Sequence, residues 1–129
     1  MNSINICQWN CRSAISNKEN LEILLQQYNI NIALLSETWF KLGRYISFSG
    51  FITVRNDRQD GKGGVAILLG NGLQYSEIPR LNVNNIMYVA VKIRLSNSNA
   101  LFLISVYVKP QSKISRNTWN HFFFCSLHL

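Results

Sequence analysis

The sequence predicts an α+β fold with a mixed sheet, and three patterns carry that prediction: a β-α-β opening, a glycine-turned hairpin, and two later strands of contrasting polarity. Ile4 to Trp9 is a short apolar run that reads as a strand. Asn17 stands where an N-cap would, ahead of a helix over Lys18 to Tyr28 whose Leu21, Leu24, Leu25 and Tyr28 recur at i, i+3, i+4 and i+7. Asn29-Ile30-Asn31 breaks that helix, and Ile32 to Ser36 follows as an apolar run too short for another. Strand, helix and strand in that order favour parallel pairing, because parallel neighbours need a crossover of about this length.

After Trp39 the pattern changes to hairpins. Phe51 to Arg55 and Val65 to Leu69 flank Asn56 to Gly64, in which Asp60-Gly61 and Gly63-Gly64 can supply the positive φ angles of a turn. Val89, Val91, Ile93 and Leu95 alternate with Ala90, Lys92 and Arg94, the pattern of a strand wet on one face. Ser96-Asn97-Ser98-Asn99 turns the chain back into Ala100 to Val108, so nearly apolar throughout that a central strand covered on both faces is expected. Pro110 ends it, and Thr118 to Leu127 is expected to be helical. With no repeat, linker or low-complexity segment, residues 1–129 read as one domain.

Composition narrows the class. At 47% hydrophobic residues the chain can build a core, which excludes intrinsic disorder. No stretch approaches ~18 uninterrupted apolar residues, and Met1-Asn2-Ser3 has neither the basic start nor the apolar segment of a secretory signal, so an intracellular chain with no membrane partner is expected. Cys7, Cys11 and Cys125 are odd in number and match no zinc spacing, which favours reduced thiols. Thirteen Lys and Arg against six Asp and Glu give a net charge of +7 and a pI near 9.7, suited to a polyanion, with nucleic acid the first candidate. The bases are scattered, with no tract resembling a nuclear-localisation or membrane-binding cluster.

Glu37 is the most informative residue, one of only six acids and placed where the apolar run Ile32-Ala33-Leu34-Leu35-Ser36 ends. Asn10 ends the first strand in the same way, so parallel pairing would set an amide and a carboxylate on one carboxyl-end rim, where sheets with such crossovers commonly bind ligands. On the residues alone, each candidate also has a plain reading: Glu37 as a solvated strand-end acid, Asn10 as a turn residue, Tyr107 as a core aromatic, and Gly61, Gly63 and Gly64 as parts of a hairpin only. His121 and His128 have no neighbouring acid to orient them and are not read as catalytic.

Four ordered blocks carry a resemblance. Gln8-Trp9-Asn10, Leu35-Ser36-Glu37-Thr38-Trp39, Asp60-Gly61-Lys62-Gly63-Gly64-Val65-Ala66-Ile67 and Ser105-Val106-Tyr107-Val108-Lys109-Pro110 resemble successive blocks of the endonuclease/exonuclease/phosphatase superfamily, in particular the endonuclease domain of non-LTR retrotransposons. The resemblance runs from Met1 to about Asn120. It implies the N-terminal half of a four-layer α/β/β/α sandwich with mixed, largely antiparallel sheets. It also implies Glu37 as ligand of a divalent metal, Mg2+ or Mn2+, with Asn10 helping to hold the metal-bound phosphate and Tyr107 contacting the scissile phosphate. The implied activity is nicking of target DNA for retrotransposition in the nucleus, with no small-molecule cofactor. Arg55, Arg58 and Lys62 are expected to reach DNA backbone oxygens, an expectation drawn from charge.

This chain departs from the family pattern in one respect. The family's later Gly-Asp-Phe-Asn-type and Ser-Asp-His-type blocks have no counterpart here, and no Asp or Glu occurs from Asn85 to Leu129. A domain truncated at the C-terminus, with an incomplete and inactive site, is therefore expected. Two other readings stay open: a catalytically dead nucleic-acid-binding module, and a phosphoesterase of the same superfamily acting on small phosphoesters. The tail Phe122 to Leu129 would either cover exposed apolar surface or promote aggregation.

Overall fold

A computed structural model of the chain describes residues 3–110 and 112–128, with side chains up to residue 122. The elements follow in the order β1 (Ile6–Asn10), α1 (Lys18–Gln27), β2 (Ile32–Ser36), β3 (Phe51–Asn56), β4 (Val65–Gly70), β5 (Tyr75–Glu77), β6 (Ile86–Arg94), β7 (Ala100–Val108) and α2 (Arg116–His128). They build an α+β fold with two sheets, one mixed and one antiparallel, as the resemblance implied. The first runs β1-β2-β4-β3 and the second β5-β6-β7. β1 and β2 are parallel, as the crossover predicts, and every other pairing is antiparallel.

Three apolar clusters hold these elements together. On one face of the first sheet, Leu21 and Leu25 of α1 pack with Ala33, Leu35, Ala66 and Leu68. The opposite face contributes Ile32, Val54, Val65, Ile67 and Leu69 to a cluster shared with Val89, Val91 and Ile93 of the second sheet. β6 then turns Ile86, Tyr88 and Ala90 the other way, onto Phe122 of α2. The period of two explains the division: odd residues of β6 meet the first sheet and even ones meet α2. Beyond the cover of α2, the even positions Lys92 and Arg94 are exposed.

Several expectations are corrected. α1 ends at Gln27, and its buried face is Leu21 and Leu25 alone; Leu24 is 39% exposed and Tyr28 61%, because a single sheet covers only a narrow stripe of a short helix. Asn17 precedes α1 without capping it by its side chain, which donates instead to the carbonyls of Cys11 (3.1 Å) and Ser13 (3.0 Å). β7 pairs only with β6 among the described residues, so it is an edge strand, with Phe102 52% exposed. An apolar run reports available burial, not a strand's position in its sheet. β5, exposed along its length, carries no apolar signal and was not anticipated.

Phe122 is buried, edge-on to Tyr88 at 5.1 Å between ring centroids, so the first residue of the tail covers the second sheet. Cys7 and Cys11 are free thiols, while the side chains of residues 123–129, those of Cys125 and His128 included, are not described. No helix among the described residues is long and apolar enough to cross a membrane.

Candidate active site

The parallel register sets Asn10 beside Ser36, so Asn10 and Glu37 stand on the same strand-end rim. Beyond the strands the two segments stay joined, through Cys11 N–H to Ser36 C=O (2.9 Å), Ser13 N–H to Glu37 C=O (3.0 Å) and Ala14 N–H to Thr38 C=O (2.9 Å). Arg12, Ser13, Glu37 and Trp39 all have positive φ there (46°, 85°, 52° and 54°). Each non-glycine residue in that region costs about 1–2 kcal/mol, and such strain gathers where a site over-determines its backbone. Glu37 is thereby fixed by its main chain, half-buried at the rim.

The glycine loop closes on this segment. Trp39 N–H donates to Gly63 C=O at 2.9 Å and Thr38 N–H to Gly64 C=O at 3.4 Å. A Cβ on Gly63 would stand 2.6 Å from Arg58 Cδ and 3.1 Å from Tyr107 Cε2, and one on Gly64 2.6 Å from Thr38 Oγ1. These glycines therefore do more than turn a hairpin; they let Arg58, Tyr107 and Thr38 come close, a role that the adjacent Gly63-Gly64 pair facing an acid hints at. Thr38 Oγ1 is fully buried with no hydrogen-bond partner among the described residues.

Tyr107 reaches the same place from the other sheet. Its phenol pKa is raised, first by burial and next by the charge of Glu37; the Arg58 guanidinium opposes this, and hydrogen bonding to Glu37 adds to the rise. The second strand-end region, the loop at 57–64 and β7 thus converge on Glu37, Arg58 and Tyr107. Nearby, burial pushes the Cys11 thiol up to about 12, with a backbone hydrogen bond lowering it and the Glu37 charge raising it.

The expected basic residues divide. Arg55 is turned onto the protein: it grips Asp57 (2.7 Å), donates to the carbonyls of Arg44 (2.8 Å) and Lys41 (3.1 Å), and stacks on Phe40 at 4.6 Å. Charge alone did not show that its donors are engaged. Arg58 pairs with Asp60 at 2.7 Å while remaining beside Tyr107, and Lys62 lies over the Trp39 ring at 4.2 Å. Arg58 and Tyr107 line a cleft of about 310 Å³, and Trp39 and Lys62 line another of about 580 Å³. A further cleft of about 800 Å³ is lined by Ile4, Leu73, Arg94 and Leu101, none of them among these residues.

The donors at the rim are a carboxylate and an amide oxygen, a hard set that fits a divalent ion keeping several waters. Among the described residues no group of three or more His, Cys, Asp or Glu gathers to hold a metal. The other acids have other positions: Asp57 on Arg55, Asp60 on Arg58, Glu22 near Lys18, Glu19 in the first turn of α1 and Glu77 on β5.

No protein-family model matches the chain. It is similar to the RNA-directed DNA polymerase from mobile element jockey of Drosophila melanogaster, at 24% identity over 86% of this chain and 12% of that protein. The same polymerase of Drosophila funebris is 22% identical over 94% of this chain and 13% of its own length. Among solved structures, the endonuclease domain of TRAS1, a telomere-specific non-LTR retrotransposon, superimposes with a TM-score of 0.69 at 23% identity, covering 97% of this chain and 52% of that one. The chain thus spans about an eighth of the curated relatives and about half of the solved domain. The resemblance carried by the strand-end blocks extends to the fold: this chain folds like the endonuclease domain of a non-LTR retrotransposon.

Proposed function

We propose that the chain is part of a divalent-metal-dependent DNA endonuclease domain whose activity is to nick target DNA for retrotransposition. The observation that carries this reading is the placing of Asn10 and Glu37 on one rim by the parallel register, with Arg58 and Tyr107 brought together at Gly63, whose loop is bonded to Trp39. In this reading Glu37 and the Asn10 amide oxygen hold Mg2+ or Mn2+, which when bound neutralises charge developing on a phosphodiester. The Tyr107 hydroxyl donates to a phosphate oxygen, and the Arg58 guanidinium supplies a second, charged donor to the same group. Lys62, poised over Trp39, contacts the neighbouring backbone. Arg55 keeps a DNA role only by supporting the 41–44 segment that its guanidinium grips.

The fold assignment follows the same reading. The three apolar clusters serve as successive boundaries between α1, the two sheets and α2, as in half of a four-layer α/β/β/α sandwich, with residues 1–129 acting as one unit. Action on DNA in the nucleus follows from the reading, without a small-molecule cofactor.

The placement of the acids favours a second element of the proposal. With Asp57 and Asp60 paired and the other three acids on α1 and β5, Glu37 has no second carboxylate beside it to accept a proton from water. Residues 1–129 alone are therefore proposed to bind DNA without nicking it. Supercoiled plasmid incubated with the chain and Mg2+ or Mn2+ tests this: retention of the supercoiled form with gel-shifted, salt-sensitive binding is expected. Nicking abolished by Glu37→Gln would overturn the inactive part and strengthen the endonuclease part. Binding that Mg2+ never strengthens, in wild type or Glu37→Gln, would favour a catalytically dead nucleic-acid-binding module.

A further inference from the structure

The metal and phosphate reading assigns nothing to the interior of the cleft of about 580 Å³, whose volume lies in the range of small-ligand sites, roughly 300–1,000 Å³. Three segments wall it. The turn after β1 brings Ile15, the stretch after β2 brings Trp39, Lys41 and Leu42, and the glycine loop brings Asp60 and Lys62. The cleft adjoins Glu37 through the main chain: Trp39 stands two residues beyond it, and Ser13, also in the wall, donates its N–H to the Glu37 carbonyl at 3.0 Å.

Trp39 is an unusual wall residue. Its φ of 54° lies in the left-handed region, where a bulky side chain is a genuine outlier, and such outliers gather at ligand sites. The bond from Trp39 N–H to Gly63 C=O at 2.9 Å holds the backbone there, and the half-buried indole belongs to none of the three apolar clusters among the described residues. Over its ring sits the ammonium of the exposed Lys62, 4.2 Å from the centroid. Asp60 also lines the cleft, but its carboxylate is taken by the Arg58 guanidinium at 2.7 Å and by the Lys62 backbone N–H at 3.0 Å. The charges of Lys41 and Lys62 therefore remain available to an anion. An aromatic face with cations beside it suits a nucleobase and its phosphate, the base stacking on the ring and the cation meeting the backbone. A base paired within a duplex has neighbours on both faces and shows only its edges in the grooves, so only an unpaired base can offer its face to the indole.

We propose that this cleft takes an unpaired base of the DNA strand bound at the Glu37 rim: the base stacks on Trp39, and Lys62 leaves the ring for the adjoining phosphate. The inference rests on the DNA reading of that rim and adds to it a preference for DNA with an unpaired base. Oligothymidylate and an oligomer of equal length whose sugars carry no base present the same phosphates, so the electrostatic part of binding is common to both. By fluorescence anisotropy, wild type is expected to hold oligothymidylate about tenfold more tightly than the base-free oligomer. A duplex with one unpaired thymine is likewise expected to bind about tenfold more tightly than its fully paired counterpart. Trp39→Leu, which keeps an apolar side chain but removes the ring, should bring both ratios close to one. Oligothymidylate should also quench the tryptophan fluorescence of wild type, and Trp39→Phe should lose that quenching; this comparison serves if Trp39→Leu does not fold. Equal binding of the base-bearing and base-free oligomers by wild type, wild-type ratios in Trp39→Leu, or unchanged quenching in Trp39→Phe would each overturn the proposal. Wild type that bound none of these DNAs at low salt would overturn the DNA reading as well, whereas binding without base preference would overturn this inference alone.

Discussion

Gly63→Ala tests whether the glycine loop is there to let Arg58 and Tyr107 meet. Two costs are separable. The first is backbone: Gly63 has φ +57°, and an L side chain there costs about 1–2 kcal/mol. The second is contact: the new Cβ would stand 2.6 Å from Arg58 Cδ, 3.2 Å from Arg58 Nη1 and 3.1 Å from Tyr107 Cε2. Over-packing of this kind costs about 1–3 kcal/mol. Gly43 supplies the control, since its φ is +73° and nothing lies within 4 Å of its Cβ position, so Gly43→Ala carries the backbone cost alone. At about 3–5 °C per kcal/mol for a chain of this length, Gly43→Ala should lower the melting temperature by about 3–10 °C. Gly63→Ala should lower it by at least about 3 °C more, by differential scanning calorimetry. Equal losses in the two variants would show that Arg58 and Tyr107 do not crowd Gly63, and the account of the loop would fail.

Other predictions concern the residues around this meeting point. Glu37→Gln should lower the Tyr107 phenol midpoint and Arg58→Met should raise it, because the first removes a charge that raises it and the second one that lowers it; shifts of the opposite sign in the ultraviolet titration would remove the contact. The folded phenol pKa lies above the unfolded value of about 10, so its contribution to stability is present below that pH and lost as pH rises through the folded value. Wild type should accordingly lose stability more steeply than Tyr107→Phe in that alkaline window. Thr38→Val removes a buried hydroxyl with no partner while keeping its shape, and should stabilise the fold by about 1 kcal/mol in urea denaturation; a loss would show that the hydroxyl is engaged. Phe122→Ala should cost about 3–5 kcal/mol, since it empties the cover over Tyr88, whereas a cost below about 1 kcal/mol would mean that α2 does not dock there. Cys11, with its thiol pushed up to about 12, should resist alkylation at pH 8 until the chain is unfolded, which mass spectrometry of iodoacetamide-treated protein would read.

Much of the fold was legible because its signals are local. Leu21 and Leu25 with the short apolar runs around them wrote out the β-α-β opening, and Gly63-Gly64 marked the hairpin between β3 and β4. Asn10 and Glu37 could be set on one rim because parallel register follows from the crossover. What was not legible depends on distant parts of the chain. The apolar run of β7 could not say that it would be an edge strand, and the exposed β5 left no trace in hydrophobic pattern. Arg55 carried the same charge as Arg58, but only the fold shows Asp57 and two carbonyls holding one, while the other lies beside Tyr107. The bond from the Ser105 hydroxyl to the Leu35 carbonyl joins segments far apart in the chain, so no local pattern announces it.

The most direct test of the central claim is the binding of Mn2+ to this chain, followed by the electron paramagnetic resonance signal of the free ion, with and without a short DNA duplex. The account predicts one ion held by wild type, more tightly when the duplex is present, because Glu37 and Asn10 leave coordination positions for a phosphate oxygen. Glu37→Gln should abolish that binding while leaving the melting temperature nearly unchanged. Equal Mn2+ binding by wild type and Glu37→Gln, with or without DNA, would contradict the claim that Glu37 is the metal ligand of a phosphodiester site.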